Sequence, residues 1–128
     1  MTTALVTGGA RGIGRGIARS LAAEGFDIAS VGMETPAEAA DSIAEIRSLG
    51  RDAYYVQQDI ADIGAHRGLV ESVVARLGPV DCLVNNAGVT SLVRGDMLLL
   101  TPESFDRSVA VNLRGTFFLT QAVARAML

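Results

Sequence analysis

Ala4-Leu5-Val6-Thr7-Gly8-Gly9-Ala10-Arg11-Gly12-Ile13-Gly14 opens the chain with an apolar run that passes directly into a glycine loop. The run Ala4–Val6 is expected to be a buried strand, and the residues after Gly12, to about Glu24, a helix. A glycine loop between a strand and a helix is a place to bind a diphosphate. Gly8 permits the tight turn, Gly12 lets the backbone approach the anion, and Gly14 lets helix and strand pack closely. The free N–H groups and positive dipole end of the helix then face the negative charge. The spacing is G-x-x-x-G-x-G rather than the commoner G-x-G-x-x-G. An ordinary strand-to-helix turn is the plainer alternative, and the flanking strand and helix favour the nucleotide site.

From this loop the same alternation continues. Strand two is expected over Asp27–Val31, a helix after Pro36 ended by Gly50, strand three over Ala53–Gln57, and strand four over Val80–Val84. Between the last two, Asp62 is placed to cap a helix carrying Leu69, Val73, Val74 and Leu77, stopped by Gly78-Pro79. Thr101-Pro102-Glu103 is a helix start, with cap, first-turn proline and acidic residue. The helix it opens runs towards the end of the chain, with a break near Asn112. Such alternation means a parallel α/β sheet, with right-handed crossovers and helices on both faces. The strands should lie in the order 3-2-1-4, with Gly12 and Asn86 converging at the switch point between strands one and four. The helical pattern stops at Met127-Leu128 without a cap, as half of a doubly wound fold would.

Composition narrows the function. With 128 residues, 49% of them hydrophobic, the chain is one globular domain. A net charge of −3 argues against nucleic-acid or membrane-surface binding. No apolar run has membrane-spanning length, and no basic segment precedes an apolar one as in a signal peptide. The single cysteine, Cys82, lies in a strand-like run and is expected to be a small apolar filler. A cytoplasmic location fits. His66, the only histidine, stands in a polar stretch opening a helix, where a surface role is expected rather than catalysis, and no metal site is expected. Every basic side chain is arginine, and a chain without lysine has no Walker-type phosphate loop.

Three further motifs stand in register with the glycine loop: Asp59-Ile60 after strand three, Asn85-Asn86-Ala87-Gly88 after strand four, and Asn112 within Val111-Asn112-Leu113-Arg114-Gly115. Together they resemble the classical short-chain dehydrogenase/reductase family along the whole chain, most of all its 3-oxoacyl-[acyl-carrier-protein] reductases and related polyol and sugar dehydrogenases. The resemblance implies a Rossmann-type domain over residues 1–128, truncated before the catalytic serine and Tyr-x-x-x-Lys. It implies hydride transfer between a nicotinamide cofactor and a small carbonyl or alcohol substrate. By the same resemblance, Gly8, Arg11, Gly12, Ile13 and Gly14 would hold the diphosphate and adenosine ribose. Asp59 would accept from the adenine amino group beside the Ile60 backbone. Asn86, Ala87 and Gly88 would line the nicotinamide ribose, and Asn112 would be the helix-kink asparagine of the catalytic tetrad. The tetrad's tyrosine and lysine have no counterpart: the only tyrosines are Tyr54 and Tyr55, with Gln58 and Asp59 four residues on. A non-catalytic nucleotide-binding module is therefore the alternative reading. Gly32 brings no carboxylate against a 2′-phosphate and Arg11 is available to pair with one, so NADP is expected ahead of NAD, with Glu34 as a candidate for the ribose diol. Arg94 and Asp96, in the stretch 89–100, are the polar candidates for a substrate contact against a plainly solvated loop. The last helix, with Val109, Val111, Leu113, Phe117, Phe118, Leu119, Val123, Met127 and Leu128, is apolar on more than one face, which implies a homodimer or homotetramer through it.

Overall fold

The computed structural model describes residues 2–89 and 95–128; Arg94 lies outside them. The described elements are β1 (Thr2–Thr7), α1 (Gly12–Ala23), β2 (Phe26–Gly32), α2 (Pro36–Ser48), β3 (Ala53–Gln57), α3 (His66–Leu77), β4 (Cys82–Val84), α4 (Pro102–Val109), a π-helical segment Ala110–Gly115, and α5 (Thr116–Met127). Short 3-10 turns at Ile63–Ala65 and Met97–Leu99 precede α3 and α4. All strand pairs are parallel, in the order β3-β2-β1-β4. The chain winds outward through β2 and β3, then returns to the far side of β1, so the switch point lies between β1 and β4 as expected.

Strand periodicity divides the core into two layers. Ala4, Val6 and Ile28 face α1 and α2, where Ala18, Ala22 and Ile46 cover them. Leu5, Ala29 and Val31 face the other way, onto Leu69, Val70 and Val73 of α3 and Leu119 and Val123 of α5. Small residues on α1 let it lie close to the sheet. Thr35 and Glu38 form a reciprocal capping box at the start of α2, with Pro36 in the first turn. At the start of α4, Thr101 accepts from the Ser104 N–H as its sequence suggests.

Three expectations need correction. β4 begins at Cys82 rather than Val80 because the Asp81 carboxylate, not a backbone carbonyl, accepts the Thr3 N–H at 2.9 Å. Asp62 makes no side-chain cap; the 3-10 turn Ile63–Ala65 intervenes and α3 starts only at His66. That turn also resets the helical phase. His66 falls in line with Leu69, Val70 and Val73, at i, i+3, i+4 and i+7, and is 2% exposed rather than on the surface. Its Nε2 donates to the Ile60 carbonyl at 2.6 Å, while Nδ1 is buried without a hydrogen-bond partner. His66→Ala should therefore cost about 3 kcal/mol of stability, from the vacated space and the orphaned carbonyl. Urea unfolding checks this, and a parent-like midpoint would contradict the burial.

The break near Asn112 is the π segment, where the Thr116 hydroxyl donates five residues back to Val111 at 3.3 Å. Gly115 is required here by close approach: a Cβ would stand 2.6 Å from the Ile60 carbonyl oxygen. His66 and Gly115 thus hold the loop after β3 between them. No helix among the described residues is long and apolar enough to cross a membrane.

Candidate functional site

The loop from Thr7 to Gly14 is shaped by its glycines. Gly8 turns the chain with φ +65° and donates its N–H to the Val31 carbonyl at 2.8 Å. Gly12 also has positive φ, +57°, and a Cβ there would meet nothing within 4 Å. The space in front of Gly12 is open. Gly14 is the opposite case, since a side chain would collide with the Gly8 carbonyl. α1 starts at Gly12 with no side-chain cap and no acidic residue in its first turn. Its N–H groups and positive dipole end are available to an anion lying over Gly12.

Thr7 joins this loop to the one after β4. Its hydroxyl accepts the N–H groups of Asn86 (3.0 Å) and Ala87 (2.8 Å) and donates to the Val84 carbonyl at 3.4 Å. The Asn86 amide returns along the same path, donating to the carbonyls of Thr7 (3.1 Å) and Gly8 (3.2 Å). Thr7 was not singled out from the sequence, although it opens the glycine motif; a buried hydroxyl at a strand end is the signal. Further along, Asn112 from the π segment clamps Val89 from both sides. Its Nδ2 donates to the Val89 carbonyl and its Oδ1 accepts the Val89 N–H, each at 2.8 Å.

The loop after β3 carries Asp59. Oδ1 accepts the Ala61 N–H at 3.0 Å and Oδ2 accepts from Arg107 of α4 at 2.8 Å. Burial works to raise this carboxyl, but the Ala61 N–H and the Arg107 guanidinium outweigh it and hold the group below its usual range. A lowered pKa means that the pair stabilises the fold above pH about 4, and that this contribution is lost as pH falls through the lowered value. At the end of β2, Glu34 pairs with Arg11 at 3.1 Å and its carboxylate fills the position a side chain on Gly32 would take. Tyr55 donates to the Glu34 carbonyl at 2.6 Å. Burial and the Glu34 carboxylate push its hydroxyl above the usual phenol range.

These pieces enclose a cavity of about 300 Å³ at the C-terminal edge of the sheet. Its wall contains Gly8, Arg11, Gly12, Asp59, Ile60, Asn86, Ala87 and Gly88, brought together from three loops. Ile13 and Gly14 are not in the wall: Ile13 is exposed, and Gly14 lies against the Gly8 carbonyl. Asn112 stands one layer behind, holding Val89. The wall adds Glu34, Gln58 and Arg107, none assigned there from the sequence as a wall residue except Glu34. The Gln58 Nε2 atom is buried without a partner. Arg11 pairs with Glu34 through Nε, while its side chain is 85% exposed. Asp96 is used locally, accepting from the Leu98 N–H at 2.9 Å. Tyr54 and Tyr55 line a separate groove over β3, not the cavity. Among the described residues, no group of three or more His, Cys, Asp or Glu side chains is placed to hold a metal ion.

Comparison with known proteins agrees with this architecture. A 3-oxoacyl-[acyl-carrier-protein] reductase of Staphylococcus aureus is 38% identical over 129 residues, covering 98% of this chain and 50% of that protein. The crystal structure of a Brucella melitensis 3-oxoacyl-[acyl-carrier protein] reductase in complex with NAD superimposes with a TM-score of 0.92 at 50% identity, over 98% of this chain and 49% of the other. A blue fluorescent protein from a metagenomic library, in complex with NADPH, gives a TM-score of 0.87 at 39% identity, over 97% and 50%. The chain thus spans about half the length of these relatives. The family model described as short chain dehydrogenase matches residues 2–128, and the chain belongs to that family.

Proposed function

We propose that the cavity binds a nicotinamide dinucleotide and that the protein is an NAD(P)-dependent oxidoreductase acting on a small carbonyl or alcohol substrate, of the 3-oxoacyl reductase type. The observation that carries this reading is the open space over Gly12, bounded by the uncapped start of α1 and by loops from β1, β3 and β4. The residues fit such a cofactor: the glycine cradle suits a diphosphate, and the orphaned Gln58 amide and the Asp59 carboxylate offer a donor and an acceptor along the wall. The cofactor would supply the hydride. The chain's own part is to hold and orient. Gly8 and Gly12 present backbone to the diphosphate, and Ile13 and Gly14 continue them as the first turn of α1. Asp59 accepts from the adenine amino group beside Ile60. Asn86, Ala87 and Gly88, tied to Thr7, form the rigid wall at the nicotinamide ribose. Asn112 fixes Val89 at the catalytic end. Acid–base chemistry needs a tyrosine–lysine pair that residues 1–128 do not hold; taken by themselves, they are the binding half of the reaction.

The placement of Glu34 supports NAD as the preferred cofactor, where the sequence alone favours NADP. Arg11, the cation offered to a 2′-phosphate, is held by Glu34, whose carboxylate lies over Gly32 in the cavity wall. A ribose diol can donate to that carboxylate, whereas a 2′-phosphate would meet like charge. Titration of the purified protein should show NAD bound about tenfold or more tighter than NADP, with Glu34→Gln narrowing the gap. Equal or tighter NADP binding would contradict the assignment, and binding of neither would contradict the function.

The exposed face of the last helix supports association of two copies. Leu113 and Phe117 are 65% and 61% exposed, opposite the buried Val111, Leu119 and Val123. Light scattering should give a dimer or tetramer at micromolar concentration, and a clean monomer would remove this proposal.

A further inference from the structure

We propose that Arg107 is a positioning residue that orients the Asp59 carboxylate for recognition of the purine's exocyclic amino group; this rests on the dinucleotide reading above. A carboxylate on a short side chain turns easily about its last torsion, which has broad minima. In this protein both of its oxygens are anchored. The Ala61 N–H holds Oδ1 at 3.0 Å, and Arg107 Nη1 holds Oδ2 at 2.8 Å. Each anchored oxygen keeps a second lone pair, so the group is fixed in plane and still able to accept from a ligand.

Three features point to positioning rather than a surface ion pair. Both partners are about one-third exposed and both stand in the cavity wall. Arg107 comes from a distant part of the chain, on α4, and reaches the loop after β3 across 48 residues. The same helical stretch then carries Asn112, whose amide clamps Val89, another residue of the cavity wall. The α4–π segment therefore braces two loops of the cavity wall, Arg107 through Asp59 and Asn112 through Val89. His66 holds the Ile60 carbonyl next to Asp59 and the Ala61 N–H holds Oδ1, which leaves Oδ2 as the atom that Arg107 holds.

The test compares NAD with nicotinamide hypoxanthine dinucleotide, which has an oxo group where adenine has its amino group. Against Asp59 this replaces a donor by an acceptor. Affinities are read by calorimetry, with folding of each variant confirmed by circular dichroism. The parent protein should prefer NAD by about tenfold or more, and Arg107→Ala should reduce the preference to about two- to threefold by weakening NAD more than the hypoxanthine form. Arg107→Lys, which keeps a cation without the planar fork, should retain part of the preference. Asp59→Asn should lose it with Arg107 in place. An Arg107→Ala protein that keeps the full preference, or that loses affinity for both dinucleotides equally, would overturn the proposal. A parent that binds both forms equally would overturn the role of Asp59, and a parent that binds neither would overturn the dinucleotide reading beneath it.

Discussion

Gly12→Val is expected to abolish dinucleotide binding by the purified protein. The space in front of Gly12 is the only part of the glycine loop wall with nothing within 4 Å of a would-be Cβ, and a branched side chain would fill it. The diphosphate would then stand away from the α1 N-terminus, out of reach of the N–H groups and dipole that favour it. The backbone adds a second effect. At φ +57° a residue with a Cβ is strained by about 1–2 kcal/mol, so some loss of stability accompanies the loss of binding. Gly12→Ala separates the two effects, because it carries the same strain with far less bulk. Titration calorimetry on both variants, with thermal melts alongside, checks the expectation. Parent-like affinity in the valine variant would contradict the placement of the diphosphate.

Residues 1–128 by themselves should turn over no alcohol or ketone. The chain has no lysine, and the structure removes both tyrosines from contention. Tyr54 lies under Arg76, and Tyr55 is bound to Glu34 with its hydroxyl pushed above the usual phenol range. Neither lines the cavity. Absence of a matched acid–base group costs about 10²–10⁴-fold from that term alone, before any loss in substrate positioning. Turnover by a mass-verified polypeptide of these residues would refute this.

Local signals carried most of the fold. β3 stands at Ala53–Gln57 as expected, because an apolar run between a helix-ending glycine and a polar loop has few other readings. The glycine loop and the Asn85–Gly88 turn met at the switch point because strand–helix alternation restricts the winding. Elements that depended on distant partners were less legible. His66 looked polar in sequence because the 3-10 turn that rotates it inward has no strong marker of its own. The pairing of Arg11 with Glu34 joins residues from two loops, and that of Arg107 with Asp59 joins a helix to a loop 48 residues away; neither follows from spacing along the chain. Spacing along the chain offers Arg11 to a phosphate and does not show the Glu34 carboxylate beside it. Thr7 and Asn86 form the reverse case. The residues were visible in their motifs, but the hydrogen bonds that make them the joint between β1 and β4 appear only when the strands are side by side.

The most direct test of the dinucleotide cavity is a residue-resolved titration of the protein's backbone amides with NAD by NMR. Saturable one-to-one binding should shift the amides of Gly8 to Gly14, Asp59 to Ala61 and Asn86 to Val89 together, with a common dissociation constant. No saturable change, or shifts confined to the groove over β3 lined by Pro36, Tyr54 and Arg76, would contradict it.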